Sequence, residues 1–428
     1  MNISLLRVFG FQHLNANLLK IQSGFFLLTL AGRCNQLAIA WWVLQQPERA
    51  GLLANLVAAA IAVEVVSKPL FGWLGDACKR LPIIRASTLV AAAVSALMFW
   101  LSLPGELPLL AISSLMMLSS AIIGIRDPLQ AAIITDYCDP RCVADAFRVK
   151  AVLSALSLLL GPALGSALIY WQGVSATFAV DTLLVAFAAA LVFRARSGSV
   201  KIDRSNDNPL RMILSGFRMV YGVKVEWYLA LVSMCVNFAI FPFFTVLLPV
   251  LVKAELGRSV AYLGLLDCAF AAGILLGGNG SAFLHGNRLP RDMAIAFGFI
   301  LLGGNLLAAG LLTSEYLLPL AFVAGGIGLM LVNIPSSTVR LLATPQAFRT
   351  RAFATVSFIS AVANPAGSAV AGLSVPWMGV QPTITVLGVL VACLALMVFR
   401  IPGFKALMRT GDAQLEGIYP RRYPAAFK

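Results

Sequence analysis

The chain has 428 residues, 60% of them hydrophobic and only 12% charged, with a mean hydropathy of +0.88. No soluble fold needs that much apolar surface, which leaves a polytopic membrane protein built of bilayer-spanning helices. The net charge of +14 would suit nucleic acid or anionic lipid, but most of the 32 Lys and Arg fall on alternate loops between apolar stretches. The excess is topological, the partner is the lipid bilayer, and nucleic acid is excluded.

The first twenty residues set Leu5, Leu6, Phe9 and Phe11 among polar positions and read as an interfacial helix rather than a cleaved signal. Span 1 is expected at about 21–43 with Arg33 near its centre, and span 2 at about 52–73 with Glu64 near its centre and Lys68 one turn on. Antiparallel helices of similar length put Arg33 and Glu64 at similar depth. An ion there costs at least about 2.5 kcal/mol, so it is paired or faces a wet cavity. Spans 3 and 4 follow, from Ile83 and Leu107, and the later half of span 4 carries Arg126 and Asp127. Span 5, about 151–171, contains Gly161-Pro162-Ala163-Leu164-Gly165, and span 6, about 175–193, contains Asp181.

Residues 194–225 are polar and basic and read as a linker whose later part, Pro209 to Val223, forms a surface helix. Six more spans are expected, at about 227–251, 260–283, 293–312, 317–339, 353–374 and 380–399. The expected domains are therefore 1–193, a six-helix bundle with its interfacial helix; 194–225, the linker; 226–400, a second six-helix bundle; and 401–428, a basic tail read as mobile. Arg80-Leu81-Pro82 recurs as Arg288-Leu289-Pro290, and Gly161-Pro162-Ala163 is partly echoed by Asn364-Pro365-Ala366. Both echoes support two parallel repeats.

Of the seven Cys, Cys34, Cys235, Cys268 and Cys393 fall in spans, and Cys78, Cys138 and Cys142 in or beside loops on the reducing side. Cys138-x-x-x-Cys142 has no second Cys pair, and His13 and His285 lie far off, so no metal and no cofactor is expected. No nucleotide-binding loop is present either.

Gly72-x-x-x-Asp76-x-x-x-Arg80, with Gly75 and Lys79 inside it, resembles the loop between helices 2 and 3 of the major facilitator superfamily. It departs from that pattern at Ala77, Lys79 and Leu81. With twelve spans, the basic linker and the repeat, the whole chain resembles that superfamily. Ala40-Trp41-Trp42-Val43 and Leu160-Gly161-Pro162-Ala163-Leu164-Gly165 look like its bacterial efflux branch of macrolide and enterobactin exporters. The resemblance implies an all-α membrane protein of two pseudo-symmetric six-helix bundles rocking about a central site, transporting rather than catalysing. It also implies that Gly161, Pro162 and Gly165 shape a contact between helices of the two halves.

The acids within spans are then candidates for carrying protons, Glu64 and Asp267 first. Glu64 is either such a carrier or half of a static ion pair with Arg33 or Lys68. Arg33, Lys68, Arg126, Asp127, Asn237 and Asn333 are candidate solute contacts. Gly72, Gly75, Asp76, Lys79 and Arg80 form either a conformational gate or, for the two cations, topology signals alone. Phe238, Phe241, Phe243 and Phe244 could pack an amphipathic drug, or serve as core or lipid-facing packing. Three basic residues in the first half's spans favour an anionic solute. The expected protein is a monomeric, multi-pass, proton-coupled antiporter of the bacterial inner membrane with both termini cytoplasmic. Its solute is a small anionic or amphipathic metabolite such as a carboxylate-type siderophore. Multidrug or macrolide efflux, import of an organic anion, a non-transporting receptor and a lipid flippase are the alternatives.

Overall fold

The computed structural model describes residues 15–44, 50–72, 79–103, 109–135, 137, 143–196, 209–284, 290–312, 314, 316–345, 348–415 and 417–427, and among them it contains helix and no strand. The first half comprises α1 (Ala16–Val43), α2 (Ala50–Gly72), α3 (Arg80–Ser102), α4 (Leu109–Thr135) and α5 (Val143–Phe193). A short α6 (Pro209–Gly222) follows at the place expected for a surface helix. Then come α7 (Lys224–Glu255), α8 (Val260–Leu284), α9 (Arg291–Leu311), α10 (Leu317–Ala343), α11 (Arg349–Met378) and α12 (Val380–Met397).

Helix α5 is two legs meeting at Gly173, whose φ of 83° and ψ of 179° are not helical. Val149 and Leu153 near its start pack with Leu18 and Leu19, and Val192 near its end packs with Ile21, so both ends lie beside the start of α1. The legs therefore run antiparallel and stand for the expected spans 5 and 6. Nine described stretches are long and apolar enough to cross a membrane, one of them, Leu160–Phe193, covering both legs. With α1 of 28 residues and α2 of 23, which carry Arg33, Glu64 and Lys68, the described residues form twelve long helical legs.

The repeat is visible in the backbone. Gly379, between α11 and α12, has φ 87° and ψ 169°, close to the values at Gly173. Both stand in the same Trp-x-Gly-Val pattern, Trp171-Gln172-Gly173-Val174 and Trp377-Met378-Gly379-Val380. Only a residue without Cβ adopts that conformation cheaply, and each Trp is exposed, as suits an anchor at a membrane surface. Twelve residues before each turn a glycine meets the first helix of its own half: Gly161 lies on Arg33 of α1, and Gly367 lies on the Phe238 carbonyl of α7.

Contacts group the chain into two units, Met1–Trp42 with Ala59–Ser205, and Val43–Ala58 with Asn206–Lys428. In the first unit the tail end of α5 is pinned by hydrogen bonds: Arg85 donates to the carbonyls of Phe193 and Ala195, at 3.2 and 2.6 Å, and Tyr137 to that of Arg196, at 2.7 Å.

The terminal segment is not the mobile tail that its basic composition predicts. It forms α13 (Phe404–Met408), α14 (Asp412–Leu415) and α15 (Ile418–Arg422). Phe404, Leu407, Met408, Leu415 and Tyr419 are each about fully buried within the second unit. Apolar side chains at those positions outweigh the charge between them, because their burial is worth roughly 1.5–3 kcal/mol apiece.

Candidate functional site

A glycine brings the charges together. Helix α4 crosses α2 with Gly124 on the backbone of Glu64: a Cβ at 124 would lie 2.5 Å from the Glu64 carbonyl oxygen and 2.7 Å from Ser67 Cβ. Asp127 comes nearly one turn after Gly124, and Lys68 one turn after Glu64, so the close crossing sets these side chains against each other. Lys68 Nζ lies 2.7 Å from Glu64 Oε1 and 3.4 Å from Asp127 Oδ2. One ammonium is thus shared by carboxylates of two helices.

The cluster is half-wet. Glu64 and Lys68 side chains are 26% and 33% exposed and that of Asp127 is 48% exposed. Arg126, the neighbour of Asp127 on α4, is buried and within electrostatic reach of both Asp127 and Glu64. Lys150, near the start of α5, feels Asp127 as well. Burial holds its ammonium below the usual lysine value, and Asp127 pulls it partly back. Three cations and two carboxylates share this corner of the first unit. Sequence reasoning missed Lys150, which sits in a run of loop cations and carries no signal of its own.

Of the two partners expected for Glu64, Arg33 and Lys68, Lys68 is the one at ion-pair distance. Glu64 is held by Lys68 of its own helix. Arg33 is exposed, and its stem lies on Gly161, where a Cβ would be 2.6 Å from Arg33 Cβ. Gly165 lies against Cys34, where a Cβ would be 3.2 Å from Cys34 Cα, and the Cys34 thiol donates to the Gly161 carbonyl at 3.5 Å. The close contact that these glycines make, with Pro162 inside α5, is with α1 of their own unit.

Of the loop residues, Gly72 closes α2, Lys79 is exposed just before α3, and Arg80 opens α3. Gly75 and Asp76 lie outside the described residues. In the second unit Gly326 of α10 lies on the Phe270 carbonyl of α8, as Gly124 lies on that of Glu64. The counterpart of Glu64 is therefore Phe270, and Asp267, half-buried, is three residues away. Phe270 belongs to an aromatic cluster: its ring is 4.5 Å from that of Phe244, and Phe243, fully buried, is 5.0 Å from Phe244 and 5.8 Å from Phe322. Phe243 thus serves core packing rather than a drug surface. Asn237 donates to the Ser233 carbonyl of its own helix at 2.9 Å, and Asn333 is exposed on α10.

Asp181 is a buried node. Asn35 of α1 donates to its Oδ2 at 3.2 Å and Ser95 of α3 donates to the same oxygen, so three helices meet on one carboxyl.

A second ionic group went unnoticed in the sequence. Glu226, in the first turn of α7, receives Arg340 Nε of α10 at 2.7 Å on one oxygen and the Tyr419 hydroxyl of α15 at 2.6 Å on the other. All three are buried, and the Arg340 guanidinium lies 5.6 Å over the Phe353 ring of α11. Nearby, Arg409 grips Asp292 of α9 at 3.0 Å.

Twelve membrane-crossing legs in two matched sets, with half-wet ions on crossing helices, define a multi-pass membrane transporter. The chain belongs to the Major Facilitator Superfamily, whose family model matches residues 23–339. It is 21% identical over 369 residues to macrolide efflux protein A of Streptococcus pyogenes, covering 85% of this chain and 90% of that one. It is 24% identical over 380 residues to the MFS-type transporter YvqJ of Bacillus subtilis (strain 168), covering 85% and 87%. Among solved structures, a variant of the nucleoside transporter NupG matches with a TM-score of 0.71 at 12% identity, over 91% of this chain and 100% of that one. A peptide transporter of the POT type matches with a TM-score of 0.72 at 14% identity, over 91% and 95%.

Proposed function

We propose that this transporter is a secondary exporter that exchanges protons for a small anionic or amphipathic metabolite, with Glu64 carrying the proton. The observation behind this reading is Lys68, poised 2.7 Å from Glu64 and 3.4 Å from Asp127. While Glu64 is ionised, Lys68 is held mainly along α2. When Glu64 takes a proton it loses its charge, Lys68 loses its nearer partner, and the ammonium passes to Asp127 on α4. Binding a proton thus moves a tie from within one helix to between two. Loss of the proton returns it.

The solute competes for the same cations. Lys68, Arg126 and Lys150 outnumber Glu64 and Asp127, which favours an anion. A carboxylate-rich siderophore is one such solute. Arg33, Asn237 and Asn333 are further solute contacts in this reading, Asp267 a second proton site, and the segment from Gly72 to Arg80 the gate. The positive-inside rule puts the basic loops, and with them both termini, in the cytoplasm of a bacterial inner membrane. The working species is a monomer.

Macrolide efflux is the second reading, favoured by the similarity to macrolide efflux protein A. Proteoliposomes separate the two. An imposed pH gradient should drive out carboxyfluorescein, an anionic probe, faster than erythromycin, and a protonophore should stop both. Movement of neither probe would sink the exporter reading.

A further inference from the structure

We propose that the C-terminal segment is a clasp that keeps water from a buried ion pair and thereby sets how readily the ends of α7 and α10 part. The pair is Glu226–Arg340, 2.7 Å apart, and the pin is the Tyr419 hydroxyl, 2.6 Å from the other carboxylate oxygen. Together they use both oxygens of Glu226, and all three residues are at most 7% exposed.

The segment is anchored at two further points. Arg409 spreads Nε and Nη2 over Asp292 at the start of α9, and Arg291 donates to the Thr410 carbonyl at 3.4 Å. Ala426 fits against Gly222 at the end of α6, where a Cβ would lie 2.6 Å from Ala426 Cβ, and the Phe427 ring stands edge-on 5.3 Å from Phe348 before α11. One short segment thus touches the same end of five helices.

The helices it ties have places to bend. Pro242 lies within α7 and is followed by a π-helical turn, Phe243–Leu247; Pro335 lies within α10, five residues before Arg340. Each proline removes a backbone hydrogen bond, so the end pieces can swing about it. Whether they part depends on the pair between them. A dry pair attracts strongly and a wetted one weakly, because the Coulomb energy falls as the dielectric rises. Lifting Tyr419 admits water to Glu226 and loosens the pair without removing either charge. This clasp is independent of which solute is carried.

Spin labels at Lys224→Cys and Leu341→Cys, in a background without other accessible cysteines, report the separation of the two helix ends by pulsed electron resonance in the full-length protein. Tyr419→Phe keeps the ring and removes only the donor. Gly222→Leu wedges Ala426 away, since even a Cβ there would lie 2.6 Å from Ala426 Cβ, and keeps Glu226, Arg340 and Tyr419 in the chain. Each should enlarge a longer-distance population roughly tenfold or more, the equivalent of losing a hydrogen bond to a charged group. The control Lys405→Gln, on an exposed face of α13, should leave the distances as they are. A distribution identical to the parent's in both Tyr419→Phe and Gly222→Leu would overturn the clasp.

Discussion

Gly124 of α4 and Glu64 of α2 touch backbone to backbone, so closely that a methyl group at 124 would sit 2.5 Å from the Glu64 carbonyl oxygen. That contact places Asp127 beside Lys68, and it predicts opposite outcomes for two formally identical changes. Gly124→Ala should destabilise by about 1–3 kcal/mol, because the backbone it strikes cannot yield, and should part Lys68 from Asp127. Gly32→Ala in α1 meets nothing within 4 Å and should stabilise by up to about 1 kcal/mol through helix propensity. Thermal unfolding in detergent, with the parent alongside, reads both signs.

Asp181 separates a structural acid from a coupling one. Asp181→Asn keeps its shape but offers Asn35 and Ser95 a poorer acceptor on a buried atom, at a cost of about 1–3 kcal/mol. The melting temperature should fall while transport per folded molecule stays near that of the parent. A flux loss with unchanged stability would contradict this assignment.

The excess of cations in the first unit predicts charge selectivity. Arg126→Gln and Arg33→Gln should each slow export of carboxyfluorescein more than that of erythromycin, measured as initial efflux rates from the same proteoliposomes. Equal losses for both probes would reject an anionic solute.

The tail has its own pH signature. Burial first, and the Glu226 carboxylate second, push the Tyr419 phenol well above its ordinary value of 10.0, against the opposing pull of Arg340. The docked state therefore favours the neutral phenol. Its contribution is complete below pH 10 and is lost only as the pH climbs from there towards the higher docked value. The phenolate absorbance of the parent minus that of Tyr419→Phe should be absent at pH 10 and grow only above it. A difference that titrates at the ordinary value would show an undocked phenol.

The membrane-crossing helices were legible because hydrophobicity is carried residue by residue, and so were the ions submerged among them. Their partners were not. The sequence leaves Glu64 a choice between Arg33 and Lys68, and only the side-chain geometry on α2 shows Lys68 at 2.7 Å. Lys150 reaches Asp127 only because α4 and α5 lie side by side. The folded tail did leave a trace: Phe404, Leu407 and Met408, then Leu415, Ile418 and Tyr419, repeat the spacing i, i+3, i+4 of a buried helical stripe. The repeated Trp-x-Gly-Val turn was likewise written in the chain and marks the internal repeat better than the proline echo, which is offset by about one helical turn.

Glu64→Gln tests the proton exchange most directly. It fixes the side chain in a neutral form, so Lys68 should stay with Asp127 whatever the pH. In proteoliposomes the variant should still exchange labelled for unlabelled solute across the bilayer, yet an imposed pH gradient should no longer drive net export. Gradient-driven export at the parent's rate in Glu64→Gln would contradict the account.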